Sequence, residues 1–319
     1  MHEDIKERIN ALILEIGGLN SFISENISQF NDKIKRIEFK DEYTYSKSEY
    51  WILIIFRDTF LKLKNILDQN FKYIETMGLL AVTRYVFETL VWSRLLDNDM
   101  RYGLVHYSHL IDAQIKHYEE NLKKVSDEIG LFEALAKEEN TRIDNAVQKI
   151  FEKGSNTLDP KSGQSQIIQE IMKETDRKAR LSFCIYGDDA KVNGYGFQAY
   201  LLKKQMVEKI RNFAQEVREE RIRFDKNCSG EILKLAQKRW KWNEQAKKVG
   251  MLEQYEFLYS FTSRLLHSTP VSRTTNQKDL ELQEIKIFLD FTYIAILEIS
   301  DLGKKQLSRF FPDPGSKNE

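Results

Sequence analysis

Proline and glycine are scarce in this sequence, with 4 Pro and 14 Gly in 319 residues. Average usage gives roughly 16 and 22 at this length. A β-sandwich, barrel or propeller needs a turn signal about every 8–12 residues, and so few breakers argue against all three. Cysteine is nearly absent too. Cys184 and Cys228 cannot build a disulfide scaffold or a zinc cluster, and they fit a reducing cytosol. Neither sign of charge dominates, since 49 Lys+Arg balance 49 Asp+Glu. That argues against a globally electrostatic nucleic-acid binder while leaving room for a local patch. Long apolar runs are missing as well. The most apolar, Trp51 to Phe56, ends at Arg57-Asp58, far short of the roughly 20 residues of a membrane span. The start, Met1-His2-Glu3-Asp4, has no basic segment followed by an apolar one, so no signal peptide is expected. A cytoplasmic protein without membrane association is the expectation.

What is present points one way. Charged residues make up 31%, hydrophobic residues 41% and aromatic residues 12%. Leu, Ile, Glu and Lys dominate, which is the composition of long amphipathic helices around a substantial core. The expected fold is all-α, a multi-helix bundle with a long protruding helical hairpin. Apolar spacing places a first helix over about 4–36, weakened or kinked at Gly17-Gly18. A second covers about 49–70 and a third about 72–96. The third is apolar nearly all round and is expected at the centre of the bundle. After Asp97-Asn98-Asp99 the apolar positions thin out. Residues 101–153 read as two long exposed helices broken at Gly130, a hairpin projecting from the core. Loops are expected over 154–164 and 187–196, with helices over about 166–186, 197–224, 231–249, 251–268 and 279–310. The implied organisation is N-terminal bundle helices (1–100), a hairpin insertion (101–160), helices completing the bundle (161–311) and a disordered tail (312–319).

The informative signal is polar groups on apolar helices. Arg84 and Glu88 sit one turn apart on one face of the third helix, with Trp92 extending that face. Their neighbours are mostly apolar, and a charged pair in a core is costly to desolvate unless well paired. A second ladder places Tyr255, Tyr259, Ser263 and His267 at four-residue intervals, with Arg264 beside it. His267 would lie at a helix C-terminus, where the dipole favours the imidazolium. Two readings stand side by side. Such ladders tie helices together and fix their register, or they line a binding or catalytic pocket.

The segment Thr83-Arg84-Tyr85-Val86-Phe87-Glu88, the distant Trp242, and the run Tyr255, Tyr259, Ser263, His267-Ser268-Thr269 resemble an uncharacterised prokaryotic family of all-helical proteins. That family, known only as a domain of unknown function, shows R-x3-E on one helix and Y-x3-S-x3-H-x-T on a later one. The resemblance covers the third helix and about residues 230–300, and makes the hairpin look like an insertion. It implies site positions at Arg84, Glu88, Tyr259, Ser263 and His267 and carries no chemistry. More distantly the chain resembles the helical ribonucleases of prokaryotic toxins and defence effectors called HEPN. Those carry Arg and His separated by four to six residues on a helix at a dimer interface. Here Arg264 and His267 have two residues between them. That resemblance implies His267 as general acid or base on a ribose 2′-hydroxyl, with Arg84 or Arg264 stabilising charge on the phosphorane.

Weaker signals complete the reading. Residues 201–249 hold fourteen cations and seven carboxylates, an excess of seven. Arg239, Trp240, Lys241 and Trp242 interleave charge with aromatic faces, a combination that can bind nucleic-acid backbones and stack bases. A solvated helix with Glu–Lys pairs would look the same. His106, His109 and His117 share one predicted helix, and ordinary packing is the favoured reading over a metal site. The functional expectation is a defence or toxin-type effector, with RNA cleavage by His267, Arg84, Glu88, Tyr259 and Ser263 and with Arg264, Tyr255, Trp242, Arg239 and Lys241 in binding roles. No metal or cofactor is expected. The alternative is a non-catalytic interaction or ligand-sensing protein that docks a protein partner through its hairpin, or pairs as a homodimer.

Overall fold

A computed structural model describes residues 2–38, 44–70, 76–152, 163–265 and 279–312. They form α1 (His2–Glu38), a 3-10 turn (Thr44–Ser46), α2 (Ser48–Asn70), α3 (Thr76–Asn98) and α4 (Tyr102–Glu152). Then come α5 (Gly163–Leu181), α6 (Gly187–Asn193), α7 (Tyr195–Leu201), a π-helical turn (Leu202–Met206) and α8 (Val207–Asn227). The chain continues through α9 (Gly230–Gln237), α10 (Trp242–Lys248), α11 (Leu252–Leu265) and α12 (Leu282–Phe310). The fold is an all-α multi-helix bundle, and no strand occurs among the described residues. No helix among them is long and apolar enough to cross a membrane.

The chain divides into two compact units, residues 1–109 with 224–319, and residues 110–223. In the first unit α1 packs on α2, and α12 packs on both α1 and α3. Leu12, Ile16, Ile23 and Phe30 of α1 recur at helical spacing and are fully buried, as are Leu53, Phe60 and Leu63 of α2. Val86, Phe87 and Val91 of α3 and Leu289, Ile296 and Ile299 of α12 complete this core. Each such side chain contributes about 1.5–3 kcal/mol on leaving water. Burial runs around most of α3, as its all-round apolar pattern implies. One backbone approach depends on a missing side chain. A Cβ at Gly303 of α12 would lie 2.8 Å from Phe60 Cζ of α2, so glycine lets these helices close.

The second unit gathers Val125, Ile129, Phe132 and Leu135 of α4 against Ala179, Ala190, Tyr195, Ala199, Leu202 and Ile210. The expected hairpin is corrected here, because α4 is one helix of 51 residues that runs through Gly130. A helical glycine costs only about 1 kcal/mol relative to alanine. Burial of Ile129 and Phe132 on either side of it outweighs that. The loop expected over 187–196 is mostly α6, interrupted at Gly194 by a left-handed φ of 86°. The single helix expected over 231–249 is two, α9 and α10, separated by extended backbone at Lys238 and Lys241. Leaving the helix there lets Trp240 stack on Trp92 of α3 at 4.2 Å and 10°. α1 continues unbroken through Gly17-Gly18. Of the loop expected over 154–164, residues 154–162 fall outside the described residues and 163–164 already belong to α5; the expected tail beyond residue 312 also lies outside them.

Candidate functional site

α3 and α11 bring the two polar ladders together within the first unit. Arg84 Nε donates to Glu88 Oε1 at 2.9 Å, one helical turn away. Tyr259 of α11 donates its hydroxyl to the same oxygen at 2.6 Å. The Arg84 guanidinium also lies over the Tyr259 ring, 4.4 Å from its centre, which adds a cation–π contact. Tyr255, one turn earlier on α11, packs on Tyr259 at 4.1 Å and approaches Phe87 at 6.4 Å.

Burial was expected for Arg84 and Glu88, and the structure corrects this in degree. Their side chains keep 40% and 25% exposure. Thr83, Val86 and Phe87 take the inward face of α3, so positions 84 and 88 fall at its edge, beside α11. Burial opposes the Arg84 charge, but the hydrogen bond and charge of Glu88, with Tyr259, outweigh it and raise the guanidinium pKa. Burial raises the Tyr259 pKa well above the usual phenol value, and its hydrogen bond to Glu88 raises it further. Tyr259 therefore stays a donor, and Glu88 is held as a fixed acceptor between a cation and a phenol.

Glu88 also reaches a cleft of about 240 Å³. Its walls carry Ile55 and Thr59 of α2, Tyr85, Thr89 and Trp92 of α3, His106 of α4 and Trp242 of α10. His106 meets the Trp92 ring edge-on at 5.0 Å. Its Nδ1 is buried and has no hydrogen-bond partner among the described residues. Burial pushes the His106 pKa down to about 4, helped by the charge of His109 and opposed by Asp58. The imidazole is neutral at physiological pH. Aromatic faces, a carboxylate and a neutral imidazole thus meet at one opening.

The structure gathers part of the expected site. Arg84, Glu88, Tyr255 and Tyr259 form one cluster, and Trp242 stands with Glu88 in the cleft wall. Arg239 is exposed in the extended segment, and Lys241 is tied to Glu244 at 2.9 Å. Ser263 and Arg264 belong to α11, but their side chains fall outside the described residues, and His267 lies outside them altogether. In α8, Arg218 and Arg221 pair with Glu119 and Asp112 of α4 at 2.9 and 3.3 Å. Part of the basic stretch is therefore paired with carboxylates. The histidines are engaged separately: His109 Nε2 meets the Ala236 carbonyl at 3.1 Å, and His117 meets Asn121 at 2.9 Å.

Sequence reasoning missed His106 and Tyr85 as neighbours of Glu88. Tyr85 reads as one more apolar-face residue, and nothing in the spacing ties His106 to α3. It also missed the two-pronged ion pair of Arg94 with Glu298, at 2.5 and 2.8 Å, in which Arg94 further donates to the Val249 carbonyl. Comparison with protein-family models, curated proteins and solved structures returns no match.

Proposed function

We propose that the protein is a helical effector that acts on RNA at the Arg84–Glu88–Tyr259 cluster and the adjoining cleft, in the cytoplasm of a prokaryotic cell. One observation carries the reading. A charged, hydrogen-bonded cluster shares Glu88 with a cleft whose walls include Trp92, Trp242 and Tyr85. Single-stranded RNA calls for this combination, because bases stack on aromatic faces while phosphates and hydroxyls need polar partners. In the cleaving form of the proposal, His267, two residues beyond α11, takes the proton of a ribose 2′-hydroxyl. The 2′-oxygen attacks phosphorus, the bond to the 5′-oxygen breaks, and that oxygen leaves with a proton. The products are a 2′,3′-cyclic phosphate and a 5′-hydroxyl. Arg84 or Arg264 supplies positive charge to the phosphorane oxygens.

The test is incubation with total RNA of the wild type, His267→Ala and Trp242→Ala, with binding of a single-stranded oligonucleotide measured in parallel. Cleavage by the wild type that is lost in His267→Ala, and weaker binding in Trp242→Ala, are expected. Neither cleavage nor binding by the wild type overturns the reading. A second reading is favoured by the way the cluster closes on itself, with Arg84 Nε and the Tyr259 hydroxyl both donating to Glu88. In that reading the network is structural, and the protein is a non-catalytic ligand-sensing or interaction protein. RNA binding without cleavage, unchanged in His267→Ala, would support it.

A further inference from the structure

The second unit holds a cleft that this reading does not use. α5 and α6 converge on a hollow of about 440 Å³ lined by Lys173, Asp176, Arg177, Arg180, Leu181 and Lys191. Four cations face one carboxylate there, a local excess of three positive charges. Lys173, Arg177 and Arg180 are four and three residues apart on α5, so they share a face, and like charges at that spacing repel. Lys191 of α6 completes the ring.

The lone carboxylate does not neutralise this ring. Asp176 accepts the Tyr195 hydroxyl at 2.8 Å and lies 3.3 Å from Lys191 Nζ. Tyr195 is itself buried, packed edge-on against Phe132 at 5.5 Å. A buried phenol therefore fixes the carboxylate, and the carboxylate fixes Lys191 at the cleft. The closest carboxylate to Arg180 is Asp188 at 3.8 Å, with both side chains largely in solvent, where such contacts contribute about 0–1 kcal/mol. Lys173 and Arg177 make no hydrogen bond or ion pair among the described residues. A second hollow of about 330 Å³ shares Lys173, Asp176 and Lys191, adds the Glu139 carboxylate, and continues past Met172, Gly194 and Tyr195. The groove thus has a cationic end and a charge-balanced extension, in which two lysines face two carboxylates. Each hollow falls in the about 300–1,000 Å³ range of small-molecule sites.

We propose that this groove binds a small phosphorylated ligand of nucleotide size. Its phosphate groups sit among Lys173, Arg177, Arg180 and Lys191, and the rest of the ligand lies along Met172 and Tyr195. Planar guanidinium groups meet phosphate oxygens two at a time, and the lysines add point charge. Isothermal titration with ATP and with inorganic tripolyphosphate, near physiological ionic strength, tests the assignment on the full chain. Saturable binding of both is expected. Arg177→Ala/Arg180→Ala should weaken it at least about tenfold, with helical circular dichroism unchanged. Lys173→Ala, a milder change, should weaken it several-fold and serves if the double variant fails to fold. Lys116→Ala, on an exposed stretch of α4 away from the groove, should leave affinity unaltered. No saturable heat up to about 5 mM ligand, or equal loss in Lys116→Ala, would overturn the proposal.

Discussion

Removing the Glu88 carboxylate is the sharpest test of how the cluster holds together. In Glu88→Ala, Tyr259 loses its 2.6 Å acceptor and Arg84 loses its 2.9 Å partner. A hydrogen bond to a charged group contributes about 1.5–3 kcal/mol, and an exposed i, i+4 ion pair about 0.3–0.5 kcal/mol. Arg84 and Glu88 keep 40% and 25% exposure, so water replaces part of what is lost. The expected cost is therefore about 1–2 kcal/mol, below the about 3–5 kcal/mol of breaking a fully buried pair. Urea unfolding followed by circular dichroism reads the loss as a lower midpoint at unchanged slope. A double-mutant cycle with Tyr259→Phe isolates the bond between them, and a coupling of about 0.5–1.5 kcal/mol is expected. Zero coupling would refute the geometry of the cluster. A loss above about 3 kcal/mol would refute the half-exposed placement of the pair.

Three further outcomes follow from the structure. His106 titrates near 4 when folded against 6.5 ordinarily, so its contribution to stability is complete above pH 6.5 and is lost as pH falls toward 4. His106→Gln should flatten the stability profile across that window, and an unchanged profile would contradict the burial of the ring. Gly303→Ala places a Cβ 2.8 Å from Phe60 Cζ and 3.2 Å from Phe56 Cδ1, and overpacking of this kind costs about 1–3 kcal/mol. A melting temperature equal to that of the wild type would show that the two rings yield freely. Glu128, 1% exposed, accepts the backbone N–H groups of Ile185 and Tyr186 at 2.6 and 3.1 Å. Glu128→Ala should cost about 1–3 kcal/mol and speed amide exchange at those two residues, with unaltered exchange as the refuting result.

Much of the fold is legible in the sequence because helical period is a local property. The apolar spacing of α1, α2 and α12 marks those helices to within a few residues, and the all-round pattern of α3 correctly marks it as buried. Misreadings occur where tertiary packing overrides a local breaker. Gly130 looks like a turn until the burial of Ile129 and Phe132 is known, and Lys238 to Lys241 look helical until Trp240 finds Trp92. The candidate site divides in the same way. Arg84, Glu88 and Tyr259 stand out as polar groups on apolar helices, whereas His106 carries no such contrast with its surroundings.

Local residue spacing is enough to make the chain helical, to put Arg84 and Glu88 on one face, and to put Tyr255 and Tyr259 on another. Each of these follows from residues within a turn or two of one another. Long-range packing brings the Tyr259 hydroxyl to Glu88 across 171 positions and Arg94 to Glu298 across 204. The same packing crowds four cations of α5 and α6 around one carboxylate. Apolar faces choose their partners by the area and shape they bury, without regard to separation along the chain. Polar groups at the edges of those faces meet wherever that packing leaves them.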